Sequence, residues 1–290
     1  MTAVASTRDE LAGRRAEVVN EAGPGAVAVV MTMGALHAGH AELIRRARLR
    51  ARVVIVTDFL NPLQFAPGED LDKYPRTFES DLQLCRAGGV DLLFAPTPDV
   101  VYPFDDALVR VAAGPVGDVL EGESRPGHFD GVVTVVAKLL HLTAPNLAYF
   151  GQKDAQQLWL IDRMVRDLDF SVEVVSVPTV RDEDGLALSS RNIYLSAEDR
   201  SAARVLNRAL EAGVHASPAG SRATISAAKA LLNSERGIRV DYLELVDPLS
   251  FSSVGGDHRG DALLLVAAFV GPTRLIDNAR VQLGPAMEEV

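Results

Sequence analysis

Two histidines, His37 and His40, stand three residues apart in the stretch MTMGALHAGH, which follows an apolar run and precedes a helix-like stretch. We expect them at the carboxyl end of a strand where a helix begins, a place where phosphates are often held. Spacing alone leaves three interpretations open. The rings could make only local hydrogen bonds, or ligate a metal, or face a nucleotide phosphate chain that Gly34 and Gly39 allow to approach the backbone. A metal would need a third ligand, for which the sequence offers no obvious candidate.

Two further stretches place donors just after predicted strands. Lys153 lies in GQKDAQQ, and Ser189, Ser190 and Arg191 lie together in GLALSSRN. A lysine suits a phosphate as a point charge, and two hydroxyls with a guanidinium can cradle phosphate oxygens. Each stretch alone could instead be an exposed lysine or a helix cap. Three donor-rich clusters at strand ends fit one polyanionic ligand better, held in the crevice at the carboxyl ends of a parallel sheet.

Two glutamines indicate a second, smaller ligand. Gln64 lies in NPLQF between apolar Leu63 and Phe65, and Gln157 lies one helical turn beyond Lys153. A single amide among apolar neighbours suits a small substrate with hydroxyl and carboxylate groups. The alternatives are a capped turn and an exposed helix residue. The long, polar, proline-broken stretch 66–80 is a candidate lid.

These residues need a scaffold that alternates strands and helices. The predicted strands are 26–32, 53–58, 91–95, 147–150 and 173–177, and the predicted helices are 7–21, 40–51, 78–88, 131–143 and 154–168. Such alternation predicts a parallel sheet covered on both faces. The tail differs, with two helices predicted over 196–234, broken at HASPAG, followed by three strand-like runs. We therefore predict an α/β fold: a Rossmann-like domain over 1–180 and a smaller α+β domain over 181–290 with a short antiparallel sheet.

Composition narrows the class of protein. The 290 residues carry a net charge of −10, whereas nucleic-acid-binding proteins usually show a basic stripe. The one dense basic run, RRARLRAR at 45–52, is better explained as a solvated helix face. The longest apolar stretches fall short of the roughly 18–20 residues that a membrane span needs. Cys85 is the single cysteine of the sequence, so it cannot form an internal disulfide. Near the N-terminus, Thr7 and Glu10 have the spacing of a helix capping box, and the basic-then-apolar pattern of a signal peptide is not expected there. We expect a cytoplasmic protein with no nucleic-acid or membrane partner.

The motifs together resemble those of a known family. TMGALHAGH, NPLQF, GEDLDKYPRT, SRPGHFDGVVTVV, FGQKDAQQL, DGLALSSRN and TRLIDN occur in this order along nearly the whole chain. They are similar to the motifs of the pantoate–β-alanine ligases, also called pantothenate synthetases. The His-x-Gly-His box alone is less specific, because class I aminoacyl-tRNA synthetases and other nucleotidylyltransferases share it.

The resemblance implies a two-step reaction. Pantoate attacks the α-phosphorus of ATP to give pantoyl adenylate and pyrophosphate, and the amine of β-alanine then displaces AMP to give pantothenate. Mg²⁺ accompanies the ATP. The family resemblance also implies a homodimer, with a nucleotide-binding N-terminal domain and a smaller C-terminal domain that closes over it.

The resemblance also assigns roles to residues. Because a carboxylate is already ionised at pH 7, the first step needs positioning and charge neutralisation rather than a strong base. The implied catalytic donors are His37, His40, Lys153, Ser189, Ser190 and Arg191, with His40 the residue usually assigned as catalytic. The implied ATP-binding set adds Thr32, Met33, Gly34, Gly151, Asp154, Val180 and Leu188. Gln64 and Gln157 match the glutamines that bind pantoate, and Asp81 matches a position near the metal.

Some residues depart from the family's usual pattern. They are Met31 for proline, Asp58 for an apolar residue, Gln152 for glutamate, Ala155 for an aromatic residue, and Leu63 and Leu188 for methionines. The two leucines nearly conserve volume. The other changes leave open a paralogous acyl-adenylate-forming ligase with a different small acid or amine. A nucleotidylyltransferase that stops at AMP transfer and a non-catalytic nucleotide-binding protein are the remaining alternatives.

Overall fold

Strands and helices alternate along the first part of the chain, as predicted, and build a six-stranded parallel sheet. The computed structural model describes residues 2–66, 69–104 and 107–285. The strands are β1 (Ala3–Ala5), β2 (Val27–Thr32), β3 (Val53–Asp58), β4 (Leu92–Phe94), β5 (Leu147–Gly151) and β6 (Glu173–Val177), in the spatial order β1-β4-β3-β2-β5-β6. All neighbours pair in parallel. The predicted α/β class is confirmed, and β1 is a three-residue strand that the sequence pattern did not reveal.

Helices cover this sheet. They are α1 (Arg8–Ala22), α2 (Ala38–Arg50), α3 (Phe78–Ala87), α4 (Pro98–Val101), α5 (Glu121–Ser124), α6 (His128–Thr143) and α7 (Ala155–Asp167). The five long ones were all predicted, with ends within a few residues. The capping box is also confirmed, since the Glu10 N–H donates to the Thr7 hydroxyl and the Glu10 carboxylate accepts the Thr7 N–H. The candidate lid at 66–80 lies partly outside the described residues, because 67–68 are not described.

The side chains of the central strands fill two separate cores. Valines and isoleucine at the odd positions 27, 29, 53 and 55 pack on the side of α1 and α6. The even positions 28, 30, 54 and 56 pack on the side of α2 and α3. Because successive strand residues point to opposite faces, a continuous apolar run is what a doubly covered strand requires. The site residues that follow β2 and β3 therefore start from fixed backbone.

The chain beyond α7 forms a smaller α+β unit. Its elements are α8 (Ala197–Ala203), α9 (Val205–Ala216), α10 (Ser221–Ser234), β7 (Ile238–Val246), β8 (Gly260–Val270) and β9 (Thr273–Leu283). The strands form the predicted antiparallel sheet in the order β7-β8-β9. The first predicted helix is in fact two, α8 and α9. Arg204 separates them with near-helical angles (φ −61°, ψ −19°) and an N–H that bonds to Ala202, so neither glycine nor proline marks the break.

Contacts divide the chain into two units that do not follow the sequence strictly. One unit runs to Gln152 and resumes over Gln156–Pro178. The other combines the turn Lys153–Ala155 with the chain from Thr179 onward. The turn that carries Lys153 is thus structurally part of the second unit.

The basic run on α2 is compensated by acidic neighbours. Arg45 and Arg46 both pair with Glu42, at 2.6 and 2.7 Å. Arg48 pairs with Asp91 at 2.6 Å. These arginines of the basic run therefore form ion pairs within this unit. Among the helices in the described part of the chain, none has the length and apolar character that crossing a membrane requires.

A glycine on α6 allows the turn Pro62–Gln64 to lie directly against that helix. A Cβ on Gly131 would stand 2.2 Å from the Leu63 carbonyl oxygen. The Gly131 carbonyl in turn accepts from the Asn61 side chain at 3.1 Å. The turn and the helix are therefore in backbone contact.

We expect Gly131→Ala to destabilise the protein by about 1–3 kcal/mol, because the turn must move away from α6. Gly13→Ala on α1 is the matched control, since nothing lies within 4 Å of its Cβ position. A helical Gly→Ala change without a clash stabilises by about 0.5–1 kcal/mol. Thermal unfolding of both variants measures the difference. Equal midpoints for the two variants would contradict the close approach.

Candidate active site

The loop between β2 and α2, residues 33–37, is held by a buried carboxylate; it is called the histidine loop below. Asp81 on α3 is 1% exposed. Its Oδ2 accepts the Ala35 N–H at 3.0 Å and its Oδ1 accepts the Leu36 N–H at 2.8 Å. Ala35 has φ 51°, a left-handed conformation that costs a non-glycine residue about 1–2 kcal/mol. The two charge-assisted hydrogen bonds stabilise this conformation.

Gly34 is required in the histidine loop by its surroundings. Its φ is 82°, and a Cβ would stand 2.6 Å from Asp58 Oδ1. The Gly34 N–H donates to the Thr32 hydroxyl, which itself donates to the Thr57 carbonyl at 2.7 Å. From the sequence alone, this glycine is expected to let a phosphate approach the backbone. The structure supplies a different reason, namely a left-handed turn packed against a carboxyl group.

The two histidines form the capping box of α2. His37 is the N-cap residue, and its Nδ1 accepts the Gly39 N–H at 3.1 Å. His40 Nδ1 accepts the His37 N–H at 3.2 Å. The ring centroids lie 4.1 Å apart with a tilt of 38°. The helix begins at Ala38, two residues before the predicted start, because the His37 side chain replaces the usual serine or aspartate cap.

This arrangement decides which nitrogen carries the ring proton. In a neutral imidazole one nitrogen accepts and the other donates. Because Nδ1 accepts a backbone N–H in both His37 and His40, the neutral form of each ring carries its proton on Nε2. The local hydrogen bonds of the first interpretation are therefore present, and they set up two Nε2–H donors at a helix N-terminus. That is the donor chemistry that a phosphate site uses.

The metal interpretation is not supported by the geometry. Across residues 2–66, 69–104 and 107–285, no three His, Cys, Asp or Glu side chains gather closely enough to hold a metal ion. Asp81, which the resemblance places near magnesium, accepts from the histidine loop and also from the Thr77 hydroxyl at 3.0 Å. These three hydrogen bonds make Asp81 an anchor of the histidine loop.

Gln64 lies beside the histidine loop and is 7% exposed. Its side-chain nitrogen donates to Met33 Sδ at 2.9 Å, and its oxygen accepts from the Asn61 amide at 3.0 Å. Asn61 Oδ1 accepts the Tyr102 hydroxyl at 2.8 Å. The predicted NPLQF turn and the predicted histidines are thus neighbours within one unit.

Two residues that the sequence analysis did not single out fix the backbone of Gln64. His128 Nδ1 lies 2.8 Å from the Gln64 carbonyl oxygen, and Arg125 Nη1 lies 2.9 Å from His128 Nε2. Burial, with the Arg125 charge, lowers the pKa of His128 to about 4. The neutral ring therefore donates to Gln64 and accepts from Arg125, which also pairs with Glu69 at 2.6 Å. Both residues lie in the motif SRPGHFDGVVTVV, but Gln64 and Glu69, which they contact, are distant in sequence.

The structure separates the two neighbouring glutamines of α7. Gln156 is 4% exposed and bonds to the carbonyls of Val116 and Val119 and to the Glu121 N–H. Gln156 is therefore committed to holding the chain before α5. Gln157 is only partly buried, which favours it as the ligand-binding residue of the pair.

The second unit carries the remaining predicted donors. Lys153 Nζ lies 3.2 Å from Asp154 Oδ1 in the turn that follows Gly151, the last residue of β5. The Leu188 N–H donates to the Val180 carbonyl, and Arg181 pairs with Ala187 in an isolated antiparallel β-bridge, so the chain forms a short hairpin here.

This short hairpin leads into a 3₁₀ turn, Ser190–Tyr194. Ser189 caps the turn by accepting the Arg191 N–H at 3.3 Å. The cap interpretation of Ser189 is confirmed, and the predicted hydroxyl and guanidinium residues lie consecutively at the end of the hairpin.

The predicted site residues thus form two groups, each within its own unit. The first unit brings together Thr32, Met33, Gly34, His37, His40, Gln64 and Asp81 and also contains Gly151 and Gln157. The second unit contains Lys153 with Asp154, and Val180 with Leu188, Ser189, Ser190 and Arg191.

The chain matches known proteins over nearly its whole length. The family model described as pantoate-beta-alanine ligase matches residues 2–280. The pantothenate synthetase of Thermobifida fusca is 54% identical over 93% of this chain and 95% of that protein. The pantothenate synthetase of Salinispora arenicola is 54% identical over 98% of this chain and 99% of that protein.

Solved structures agree with the sequence relatives. The pantothenate synthetase of Thermus thermophilus superposes with a TM-score of 0.89 at 46% identity, over 98% of this chain and 100% of that one. The pantoate-beta-alanine ligase of Francisella tularensis, solved with beta-gamma ATP and beta-alanine, superposes with a TM-score of 0.78 at 32% identity, over 96% and 97%. The fold and these relatives define the chain as a ligase. It belongs to the pantoate–β-alanine ligase family.

Asp58, one of the residues at which the sequence departs from the motifs it resembles, lies against Gly34 of the histidine loop. Burial, with the nearby Asp81 charge, raises the pKa of Asp58 to about 6. An acid whose pKa is raised by folding must ionise at a cost to the folded state. That cost begins as the pH rises above the ordinary value of 3.8 and is complete above about pH 6.

We expect Asp58→Asn to raise the stability at pH 8 by about 1–3 kcal/mol and to change it little at pH 4. Thermal unfolding at the two pH values measures the gain. The exposed Asp257→Asn is the control and should show no such pH dependence. A gain that is larger at pH 4 than at pH 8 would contradict the sign of the Asp58 shift.

Proposed function

We propose that this chain condenses pantoate with β-alanine to give pantothenate, through a pantoyl-adenylate intermediate. The observation that carries the proposal is the pair of Nε2–H donors that the capping box of α2 sets up. In the first step the pantoate carboxylate oxygen bonds to the α-phosphorus of ATP, and the bond to pyrophosphate breaks. In the second step the β-alanine amine nitrogen bonds to the acyl carbon, AMP leaves, and the amine loses its proton.

Charge neutralisation is the task we assign to the donors. Negative charge on the transferring phosphate is stabilised by fixed donors that need no rearrangement. His37 and His40 supply ring N–H groups, Lys153 an ammonium, and Ser189, Ser190 and Arg191 hydroxyls and a guanidinium. We assign the remaining ATP contacts to Thr32, Met33, Gly34, Gly151, Asp154, Val180 and Leu188. The Francisella tularensis relative, which was solved with beta-gamma ATP and beta-alanine, supports these substrates.

Pantoate is the ligand we assign to Gln64 and Gln157. The amide of Gln64 is held by Asn61 and Met33, and its backbone is held by His128. A preorganised amide loses little conformational entropy when it binds a hydroxy acid. Gln156 is excluded from this role by its own hydrogen bonds, which leaves Gln157 as the second glutamine.

Magnesium accompanying ATP remains an expectation from the family resemblance. It would supply charge neutralisation on the phosphates when bound. Asp81 is the residue that would lie near it, as the resemblance implies, because Mg²⁺ needs only one or two carboxylates beside the phosphates. A cytoplasmic location likewise remains a prediction from the sequence.

A homodimer is the assembly we propose, supported by one exposed apolar stretch. Phe104, Leu108 and Val109 are 84%, 92% and 90% exposed. Large apolar side chains this exposed are typical of surfaces that a second copy covers.

We expect His40→Asn to lower pantoate-dependent pyrophosphate–ATP exchange, measured without β-alanine, by about 10²–10³-fold. Asparagine keeps an oxygen where Nδ1 caps His37, so the unfolding midpoint should change little, but it lacks the Nε2–H donor. His215→Asn, at an exposed histidine of α9, is the control and should exchange normally. Full exchange in His40→Asn would remove His40 from the chemistry. Exchange that requires an acid other than pantoate would favour the paralogous ligase.

We expect Leu108→Glu to convert the dimer into a monomer, because an interface cannot bury an unpaired carboxylate cheaply. Light scattering of the purified protein at several concentrations gives the mass. Leu249→Glu is the matched control, at a leucine that is 84% exposed in the second unit. A dimeric Leu108→Glu variant would place the interface elsewhere, and a monomeric wild type would exclude the homodimer.

A further inference from the structure

One side chain of β9 holds the turn that carries Lys153. The Asn278 amide nitrogen donates to the Lys153 carbonyl oxygen at 2.8 Å, across 125 residues of sequence. The turn links β5 to α7, yet its contacts place it in the second unit. This hydrogen bond therefore helps to explain why the contacts of Lys153–Ala155 are with the second unit, although the chain on either side belongs to the first.

Asn278 is itself mounted rigidly. It pairs with Leu265 in the ladder between β8 and β9. Its N–H donates to the carboxylate of Asp277 at 2.8 Å, and that carboxylate binds Arg181 through two hydrogen bonds of 2.6 and 3.0 Å. Asp277 is 4% exposed. A buried bidentate ion pair next to Asn278 limits the movement of this part of the strand.

The same two residues also connect the turn to the hairpin of Ser189 and Arg191. Arg181 lies at the start of that hairpin and donates to the Gly185 carbonyl at 3.3 Å. Adjacent residues of β9 thus anchor both segments that carry the second unit's donors. The motif TRLIDN, to which no role was assigned from sequence, contains both anchors.

Anchoring the backbone matters for a lysine in particular. The lysine side chain rotates about four bonds, so the position of its ammonium depends on how firmly its backbone is held. The Lys153 side chain is 19% exposed and contacts Asp154. The hydrogen bond to the Lys153 carbonyl holds that backbone in place. A misplacement of a catalytic group by about 1 Å can cost about 10²-fold in rate.

We propose that Asn278 is a positioning residue for adenylyl transfer, which holds Lys153 where its ammonium meets the phosphates. The inference rests on the proposed function of Lys153. Asn278 does not touch substrate in this assignment and acts only through the turn.

A double-mutant cycle on the full-length protein tests the proposal. Pantoate-dependent pyrophosphate–ATP exchange is measured for the wild type, Asn278→Ala, Lys153→Ala and the double variant. Losing one positioning hydrogen bond should lower exchange about tenfold, and losing the ammonium about 10²–10³-fold. The double variant should be no slower than Lys153→Ala, because Asn278 has nothing left to position. The KM for pantoate should not change.

Two further variants serve as controls. Asn278→Asp keeps the shape and replaces the donor by an acceptor, so it should lose exchange like Asn278→Ala even if the alanine variant folds poorly. Gln282→Ala removes an exposed amide from the same strand and should exchange like the wild type.

The outcomes separate this inference from the proposed function. Rate losses that multiply in the double variant, or Asn278 variants as active as Gln282→Ala, would overturn the positioning role while adenylation stands. An active Lys153→Ala variant would overturn it as well. A folded wild type without pantoate-dependent exchange would overturn the proposed function, and the inference with it.

Discussion

The buried carboxylate of Asp81 is the interaction on which the first unit's site depends. It accepts two consecutive backbone N–H groups of the histidine loop and the hydroxyl of Thr77. These bonds hold Ala35 in a left-handed conformation, and the chain then enters α2 with His37 as its cap. A buried carboxylate that lost these donors would cost more than the roughly 1–3 kcal/mol of a neutral unsatisfied group. The loop geometry follows from this anchor, and the two imidazoles are then oriented by the backbone N–H groups that they cap.

Local hydrogen bonding and ligand binding are not rivals at the two histidines. From the sequence they are alternatives, because each alone explains a histidine at a helix start. In the structure the Nδ1 atoms of His37 and His40 cap the helix. That contact selects the tautomer that presents Nε2–H. The structural role is therefore compatible with the donor role that we propose for the same two residues.

The sequence predicted the scaffold because burial leaves a strong pattern. The apolar runs of β2 and β3 and the capping box at Thr7 were each located to within a residue or two. Short elements carry no such pattern, which is why β1 and the break at Arg204 were missed. At the site, the residue types predicted clusters of hydrogen-bond donors, and the structure divides these donors between the two units. Residue types could not show which side chains are already engaged in hydrogen bonds or contacts within the fold. The partners of Gln156, Asp81 and Gly34 are distant in sequence; Ala35 and Asp81, for example, are 46 positions apart.

The placement of the turn Lys153–Ala155 bears on how such a protein can be rearranged. The chain on either side, up to Gln152 and from Gln156, belongs to the first unit, whereas the segment's own contacts are with the second. A cut between Pro178 and Thr179 would therefore yield a first fragment whose Lys153 carbonyl lacks its Asn278 partner. Chimaeras assembled from the units of two homologues would inherit the same mismatch unless the turn and β9 came from one parent. The modular boundary in this molecule is set by contacts and is not a single point on the chain.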